Sequence, residues 1–218
     1  FMAQITQEFW PQKNISWSKV VNPFESRKFT LEGKDGGFGL YFGRLIEEKG
    51  VDILIDAAAK IDGFPIKIVG SGDDEKLLRA RSDALGLTNV EFLGPKWGDD
   101  LKPILASARF VVVPSRWHEN FPYVINEAFS MGKPVIGSNR GGITELVADG
   151  ERGFIYEADD ADNLAHAIRK FSSSPQLAQK MGNAAKVYSD RLFSAECFYN
   201  SLLNTYERGF DAHSRTGR

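Results

Sequence analysis

The sequence has 218 residues, with 27 Lys and Arg against 29 Asp and Glu, so its formal net charge is −2. Hydrophobic residues make up 42% of the chain, which excludes disorder over most of its length. The nearly balanced charge argues against a dedicated nucleic-acid-binding protein. The longest apolar runs fall far short of the ~18 residues that a membrane-spanning helix needs. The single cysteine, Cys197, permits no internal disulfide and favours a reducing, cytoplasmic location.

Residues 1–37 differ in pattern from the rest of the chain. Residues 1–10 carry apolar side chains along one helical face, and Pro11 is expected to end that helix. Residues 32–37, EGKDGG, predict a flexible break. The chain begins at Phe1 and shows no signal-peptide pattern, so we expect it to be a piece of a longer protein.

From Gly39 onward, short apolar runs bounded by glycine alternate with amphipathic segments. The predicted strands are 39–45, 65–70, 89–94, 109–115, 134–139 and 153–156. The predicted helices are 49–61, 74–85, 98–108, 122–132, 142–150, 160–173, 175–190 and 194–209. The strands are continuously apolar, which indicates that both faces of the sheet are covered. The pattern predicts an α/β fold with a doubly wound, parallel, six-stranded Rossmann-like sheet, helices on both faces and further C-terminal helices.

Two cations follow the first predicted strand and its Gly43. Ligands of open parallel sheets bind at the carboxyl ends of the strands, which is where Arg44 and Lys49 are expected. Positive charges near a helix start oppose the helix dipole, and an anionic group between them would remove that conflict. The pair therefore predicts a site for a diphosphate, and a pair of solvated charges is the alternative.

The second and third predicted strands are followed by glycine-containing turns. Gly70 and Gly72 match half of a dinucleotide-binding fingerprint, but its third glycine is missing, so a simple helix-capping turn is equally favoured. The turn Gly94–Trp97 could hydrogen-bond the edge of a nucleobase, with Lys96 alongside. A turn without a ligand explains that segment equally well.

The segment after the fourth predicted strand, PSRWHENFPYVINE, is the most informative one. Glu119 and Glu127 would lie ~12 Å apart if the chain between them were all helical, which exceeds the ~5–9.5 Å separation of a glycosidase pair. Two hydrogen-bonding anchors on one long ligand fit this spacing better than an acid and base. The alternative is a solvated Glu119 with an ion-paired Glu127. Pro122 suits the first turn of a helix whose amides can bind an anion, and His118 is expected to be structural.

The segment after the fifth predicted strand adds two glycines and a short helix. Gly141 and Gly142 would let the backbone approach a ligand closely. Thr144 and Glu145 begin a helix whose amides could join the same pocket. No cluster of His, Cys and Asp has metal-ligand spacing and no P-loop motif occurs, so we expect no metal site.

Together these segments resemble a known family. The runs GRLIEEKGVDILIDA, IVGSG, NVEFLG and the stretch from ASARFVVVPS to GFIY are similar to the C-terminal, donor-binding domain of retaining GT-B glycosyltransferases, group 1 or family 4. The resemblance covers roughly residues 20–208. Its E-x7-E element, here Glu119 to Glu127, is specific in combination with the GG-x-x-E segment that ends at Glu145.

The resemblance implies roles for individual residues. Arg44 and Lys49 would hold the donor diphosphate and stabilise it as it departs, and Glu119 would bind hydroxyls of the donor sugar. Glu127 would hold the ribose, and the turn Gly94–Trp97 would meet the base. We therefore expect Arg44, Lys49 and Glu119 to be catalytic. The expected donor-binding positions are Gly43, Gly70, Gly72, Gly94, Lys96, Trp97, Asn120, Phe121, Tyr123 and Glu127.

The resemblance also implies partners and a division of the chain. The donor would be a UDP- or GDP-sugar, transferred without a metal or other cofactor to a glycan, lipid or small-molecule acceptor. Residues 1–24 would be a remnant of an N-terminal acceptor domain and its connector, 25–210 the donor-binding domain and 211–218 a flexible tail. The first helix and helix 194–209 would then carry exposed apolar surface, and the full-length protein could associate peripherally with the membrane.

Two departures and two alternatives accompany the resemblance. Pro122 replaces the glycine usual in the family and removes one backbone N–H from the sugar site, and the N-terminal domain is absent. A non-catalytic nucleotide- or sugar-binding module of the same fold is the first alternative. A nicotinamide-dependent oxidoreductase is the second, and it is disfavoured by the incomplete glycine pattern and by the lack of an acidic residue at the end of the second strand.

Overall fold

A computed structural model describes residues 2–9, 18–24 and 33–216. Six parallel strands form one sheet in the order β3-β2-β1-β4-β5-β6. They are β1 (Gly39–Phe42), β2 (Ile66–Val69), β3 (Val90–Gly94), β4 (Phe110–Val113), β5 (Val135–Ser138) and β6 (Gly153–Tyr156). The predicted six-stranded parallel sheet is confirmed, and its order is that of a doubly wound Rossmann fold.

Helices connect the strands and extend beyond them. They are α1 (Met2–Phe9), α2 (Val51–Ala58), α3 (Glu75–Ala84), α4 (Lys102–Ser107), α5 (Tyr123–Ser130), α6 (Ile143–Val147), α7 (Ala161–Ser173), α8 (Pro175–Leu192) and α9 (Ala195–Thr216). Two long helices have side-chain N-caps: the Asp160 carboxylate accepts from the Asn163 amide, and the Ser174 hydroxyl accepts from the Leu177 amide. These caps satisfy amides that a helix start otherwise leaves unpaired.

Apolar side chains fill both faces of the sheet. One face packs against α2, α3 and α7, where Leu54 and Phe171 are fully buried. The other packs against α4, α5 and α6, where Leu105 and Phe129 are fully buried. Helix α8 contributes side chains to both clusters. Because both faces are covered, the carboxyl and amino edges of the strands are where polar groups meet solvent.

Two predicted helices begin later than the sequence indicated. In the segment 49–61, a 3-10 turn at Glu47–Lys49 ends in Gly50, whose φ of +64° separates that turn from α2. A left-handed residue cannot continue a right-handed helix, so the predicted start was wrong. Helix α4 likewise follows a separate 3-10 turn, Gly98–Asp100, and Pro103 lies in its first turn, where a missing N–H costs no hydrogen bond.

Helix α9 is longer than predicted. It continues to Thr216, beyond the expected end at 209 and into the predicted tail, because neither a proline nor a capping glycine occurs at 210–216. Its side chains Tyr199, Tyr206 and Phe210 are exposed.

Helix α1 also carries an exposed apolar side chain, Phe9, so the predicted apolar exposure of both helices is confirmed. The expected end of the first helix at Pro11 lies outside the described residues. Among the residues that are described, no helix combines the length and the apolar character needed to cross a membrane.

Candidate active site

The strand order brings four loops to one edge of the sheet. The strand order reverses direction between β1 and β4, which is the point where open parallel sheets generally form a crevice outside the carboxyl ends of the strands. Residues 43–50 follow β1 and residues 114–122 follow β4. The loops after β2 and β3 lie farther along the same edge. The predicted site positions therefore follow four adjacent strands.

Lys49 and Glu119 meet in this crevice. The Lys49 ammonium forms an ion pair with Oε1 of Glu119, and the two side chains are only 25% and 16% exposed. The Ser115 hydroxyl donates to the same Oε1 at 3.0 Å, which fixes the carboxylate from the β4 side. Two residues 70 positions apart in sequence thus form one partly buried charge pair.

Arg44 lies beside this pair. Its carbonyl accepts a 2.6 Å hydrogen bond from the Tyr41 hydroxyl at the base of the crevice. Burial raises the pKa of Tyr41, the negative charge of Glu119 raises it further, and the positive charge of Arg44 opposes the shift. Both charges therefore act on one hydroxyl. Arg44 is exposed, and within the described residues its guanidinium has no side-chain partner.

The second glutamate has the opposite environment. Glu127 lies in the second turn of α5, half-buried, and burial raises the pKa of its carboxyl to about 7. Over the described ranges its carboxylate has neither an ion pair nor a hydrogen bond. Because α5 begins only at Tyr123, the all-helical spacing considered for the two glutamates does not apply.

The glycines after β5 shape the Glu119 loop. A Cβ on Gly141 would lie 2.5 Å from the Glu119 carbonyl oxygen, and one on Gly142 would lie 2.4 Å from that of Asn120. The Gly142 amide donates to the Glu119 carbonyl at 2.6 Å. The close approach that these glycines were expected to offer a ligand is here made to the chain's own backbone.

The glycines after β2 show the same kind of packing. A Cβ on Gly70 would lie 1.8 Å from the Gly43 carbonyl oxygen, and one on Gly72 would lie 2.2 Å from that of Leu45. The close packing between the loops after β1 and β2 thus explains why glycine is required at both positions. Their contact with a donor stays a prediction.

The predicted base and sugar contacts differ in exposure. After β3, Trp97 is 73% exposed and Lys96 is half-buried. After β4, Asn120 is exposed, whereas the ring of Phe121 packs edge-on against Tyr123 and Phe193, each with centroids 5.6 Å apart. The ring of Phe121 is therefore occupied by these contacts, and only its backbone could contact a ligand. Pro122 is the N-cap of α5 and has no N–H to donate.

One cluster at this edge was missed from the sequence. Arg116, three residues after β4, forms a bidentate pair with Asp52 in the first turn of α2, with both N···O distances 2.7 Å. Its Nε also donates to Asp159 after β6. The one feature of the sequence that could have indicated this cluster is that charged residues follow several strands whose carboxyl ends share one edge. Sequence spacing could not identify the partners.

One cavity lies at the opposite edge of the sheet, and another borders the turn that carries Lys49. One, of about 870 Å³, opens at the amino ends of β4 and β5 and is lined by Arg109, Lys133 and Lys186 among others. The second, of about 530 Å³, lies between the Glu47–Lys49 turn, α2 and α3. Neither Lys49 nor Glu119 lines either of these two cavities. In the part of the chain that is described, no three His, Cys, Asp or Glu side chains are grouped to hold a metal ion.

Comparisons with known proteins show which sequences and structures this chain resembles. An uncharacterized glycosyltransferase of Methanocaldococcus jannaschii is 35% identical over 173 residues, which are 79% of this chain and 48% of that protein. The Anabaena protein HepE, solved with UDP-glucose, is 26% identical with a TM-score of 0.77 and covers 86% of this chain and 57% of its own. Sucrose-phosphate synthase from Thermosynechococcus elongatus, 23% identical with a TM-score of 0.81 over 96% of this chain and 57% of its own, shares the fold.

The chain spans about half the length of the curated relatives that it matches. Residues 23–188 match the sequence profile of the family described as glycosyl transferases group 1. That match contains the whole sheet and all four loops of the candidate site. This chain therefore belongs to the group 1 glycosyl transferases.

Proposed function

We propose that this chain binds the nucleoside diphosphate part of a nucleotide-sugar and serves as the donor-binding half of a retaining glycosyltransferase. The observation that carries the proposal is the Lys49–Glu119 pair at the junction of β1 and β4. Beside it lies the guanidinium of Arg44, which has no side-chain partner among the residues that the structure describes. A site with cations and a hydrogen-bonding carboxylate fits a ligand that joins a diphosphate to a polyhydroxylated sugar.

Each charged group has a role in this proposal. Transfer breaks the bond between the anomeric carbon and the diphosphate oxygen, and negative charge then grows on the departing diphosphate. Lys49 and Arg44 stabilise that charge, so no metal ion is needed for this purpose. Glu119 accepts hydrogen bonds from sugar hydroxyls, and its pairing with Lys49 holds the two groups in register.

Glu127 is proposed to hold the ribose. Its carboxylate has no partner among the described residues, and burial leaves it near half-ionised at neutral pH. Two ribose hydroxyls would supply the donors that the carboxylate lacks. The exposed turn Gly94–Trp97 is left for the base, and uracil is the first base to test because HepE was solved with UDP-glucose.

The remaining parts of the proposal concern the whole protein. We propose that this stretch binds donor by itself but transfers sugar only with the other half present in longer relatives. The exposed apolar side chains of α9 support an additional contact surface. Residues 1–24 would then connect to the acceptor domain. A cytoplasmic location agrees with the single free cysteine.

Isothermal titration calorimetry with UDP, GDP and ADP tests the proposal. We expect measurable binding of at least one nucleoside diphosphate and much weaker binding of the matching nucleoside. A folded protein that binds none of the three would reject the proposed function. A transfer assay on the longer protein, with product analysed by NMR, would then test retention at the anomeric carbon.

A further inference from the structure

We infer that Arg116 is a positioning residue that fixes the Lys49-bearing turn against the end of β4, an inference that rests on the proposed function. The Arg116 side chain forms no hydrogen bond or ion pair with Lys49 or Glu119. It joins the elements on either side of them. Its side chain is about a quarter exposed, at 27%.

The guanidinium is committed to the protein. Nη1 and Nη2 donate to the two carboxylate oxygens of Asp52, Nη1 also donates to the Glu47 carbonyl at 3.0 Å, and Nε donates to Asp159. Four of its five N–H groups are thus used by the chain itself. A direct phosphate contact would require these bonds to break, so the arrangement favours positioning over ligand binding.

The backbone around Arg116 holds the same turn. The amides of Arg116 and Trp117 both donate to the Glu48 carbonyl, at 2.9 and 3.2 Å. Together with the bond to Glu47, these contacts fix the two carbonyls that precede Lys49. The 3-10 turn therefore cannot shift without breaking contacts to the β4 loop.

Gly50 shows how closely the two loops approach. A Cβ at this position would lie 2.1 Å from the Pro114 carbonyl oxygen, and its φ of +64° independently favours glycine. Gly50, which follows Lys49, thus packs against the end of β4, and Glu47, which precedes Lys49, is hydrogen-bonded to Arg116. The Lys49 side chain needs little further ordering when an anion arrives, which favours affinity.

The charge balance supports the same reading. Burial alone would raise the pKa of Asp52, but its hydrogen bonds and ion pair with Arg116 outweigh burial and lower that pKa. The positive charge of Arg116 is therefore balanced by Asp52 and Asp159.

A double-mutant cycle on UDP affinity tests the inference. We expect Arg116→Gln to weaken UDP binding by about tenfold because the turn that positions Lys49 is no longer fixed, a smaller loss than the one expected for Lys49→Ala. The double variant should bind UDP no more weakly than Lys49→Ala alone, and uridine affinity, followed by NMR titration, should not change. Asp52→Asn, which breaks the same clamp from α2, should reproduce the loss if Arg116→Gln does not fold.

Arg81→Gln is the matched control. Arg81 forms a bidentate pair with Asp56, one turn along α2 from Asp52, with both N···O distances 2.6 Å. This variant should leave UDP affinity unchanged. Additive effects in the cycle, equal losses for UDP and uridine, or an unchanged affinity in both Arg116→Gln and Asp52→Asn would overturn the inference while leaving the proposed function intact. An unchanged affinity in Lys49→Ala would instead overturn both.

Discussion

The loop after β4 and the second turn of α5 each hold one glutamate, in opposite electrostatic states. Glu119 is ion-paired with Lys49 and accepts from Ser115, whereas Glu127 is half-buried without a partner in the described chain. The same residue type is thus satisfied in one region and left for a ligand in the other. Under the proposed function, the sugar end of the site would be preorganised and the ribose end would be completed by the ligand.

Removing Lys49 is the strongest way to break the preorganised region. Lys49→Ala should weaken UDP binding by about 1.5–3 kcal/mol, the range for hydrogen bonds to charged groups. Calorimetry measures the loss, and Arg44→Ala should give a loss in the same range. Lys60→Ala, which removes a cation paired with Asp162 elsewhere on the surface, is the control and should have no effect. Equal affinities for all four proteins would place the phosphates elsewhere.

A larger side chain packed against the loop that carries Glu119 should lower the stability of the folded protein. Gly142→Ala places a methyl group 2.4 Å from the Asn120 carbonyl oxygen, and overpacking of this kind costs about 1–3 kcal/mol. The free energy of unfolding from urea titration reports the effect. Gly209→Ala adds a methyl to open space in α9 and should be neutral or stabilising. A fully stable Gly142→Ala would contradict the packing described for this loop.

The ribose region should respond to pH. The folded-state pKa of Glu127 is raised from 4.5 to about 7, so its ionisation destabilises the unliganded protein. The cost is absent below the unfolded pKa, grows as the pH rises through about 7 and is constant above it. Glu127→Gln should therefore be more stable than wild type by about 1 kcal/mol at pH 8, after allowance for partial solvent exposure, and equally stable near pH 4.

Ionisation of Glu127 should strengthen UDP binding, although it destabilises the unliganded protein. Because the ionised carboxylate accepts ribose hydroxyls best, UDP affinity should rise by up to about tenfold between pH 6 and pH 8. Calorimetry in matched buffers measures this. Glu127→Gln corrects for the titration of the phosphate itself, and its affinity should be lower with a shallower pH dependence. Identical profiles for the two proteins would count against a ribose role.

Neutralising Glu119 should have the smallest effect on UDP. Glu119→Gln removes a negative charge next to the diphosphate site, so we expect UDP affinity to change by less than about threefold. The gain in affinity from UDP to UDP-glucose should disappear, because the sugar loses its acceptor. Titration with both ligands separates the two effects. A loss of UDP affinity as large as that of Lys49→Ala would contradict a role of Glu119 confined to the sugar.

The sequence predicted the elements and the edge that holds the site. Apolar runs bounded by glycine located all six strands, and the rule for open parallel sheets predicted that Lys49 and Glu119 lie at one edge. The start of α2 was misplaced because helical periodicity continues through Gly50, whose left-handed conformation depends on contact with Pro114.

The sequence could not predict which distant residues form ion pairs or which atoms pack against the glycines. Arg116 and Asp52 are 64 residues apart, and no local pattern joins them. Gly70 and Gly142 could be recognised as positions where something approaches closely. A glycine does not reveal what approaches it, and in both cases a nearby atom belongs to the chain's own backbone.

Amide chemical-shift mapping on UDP addition tests the central claim most directly. The account predicts that the largest shifts fall on residues 43–50, which follow β1, and on 115–127, which follow β4 and continue into α5. The cationic cavity at the opposite edge, lined by Arg109, Lys133 and Lys186, should stay unchanged. Shifts concentrated around that cavity, with none near Lys49 and Glu119, would contradict the account.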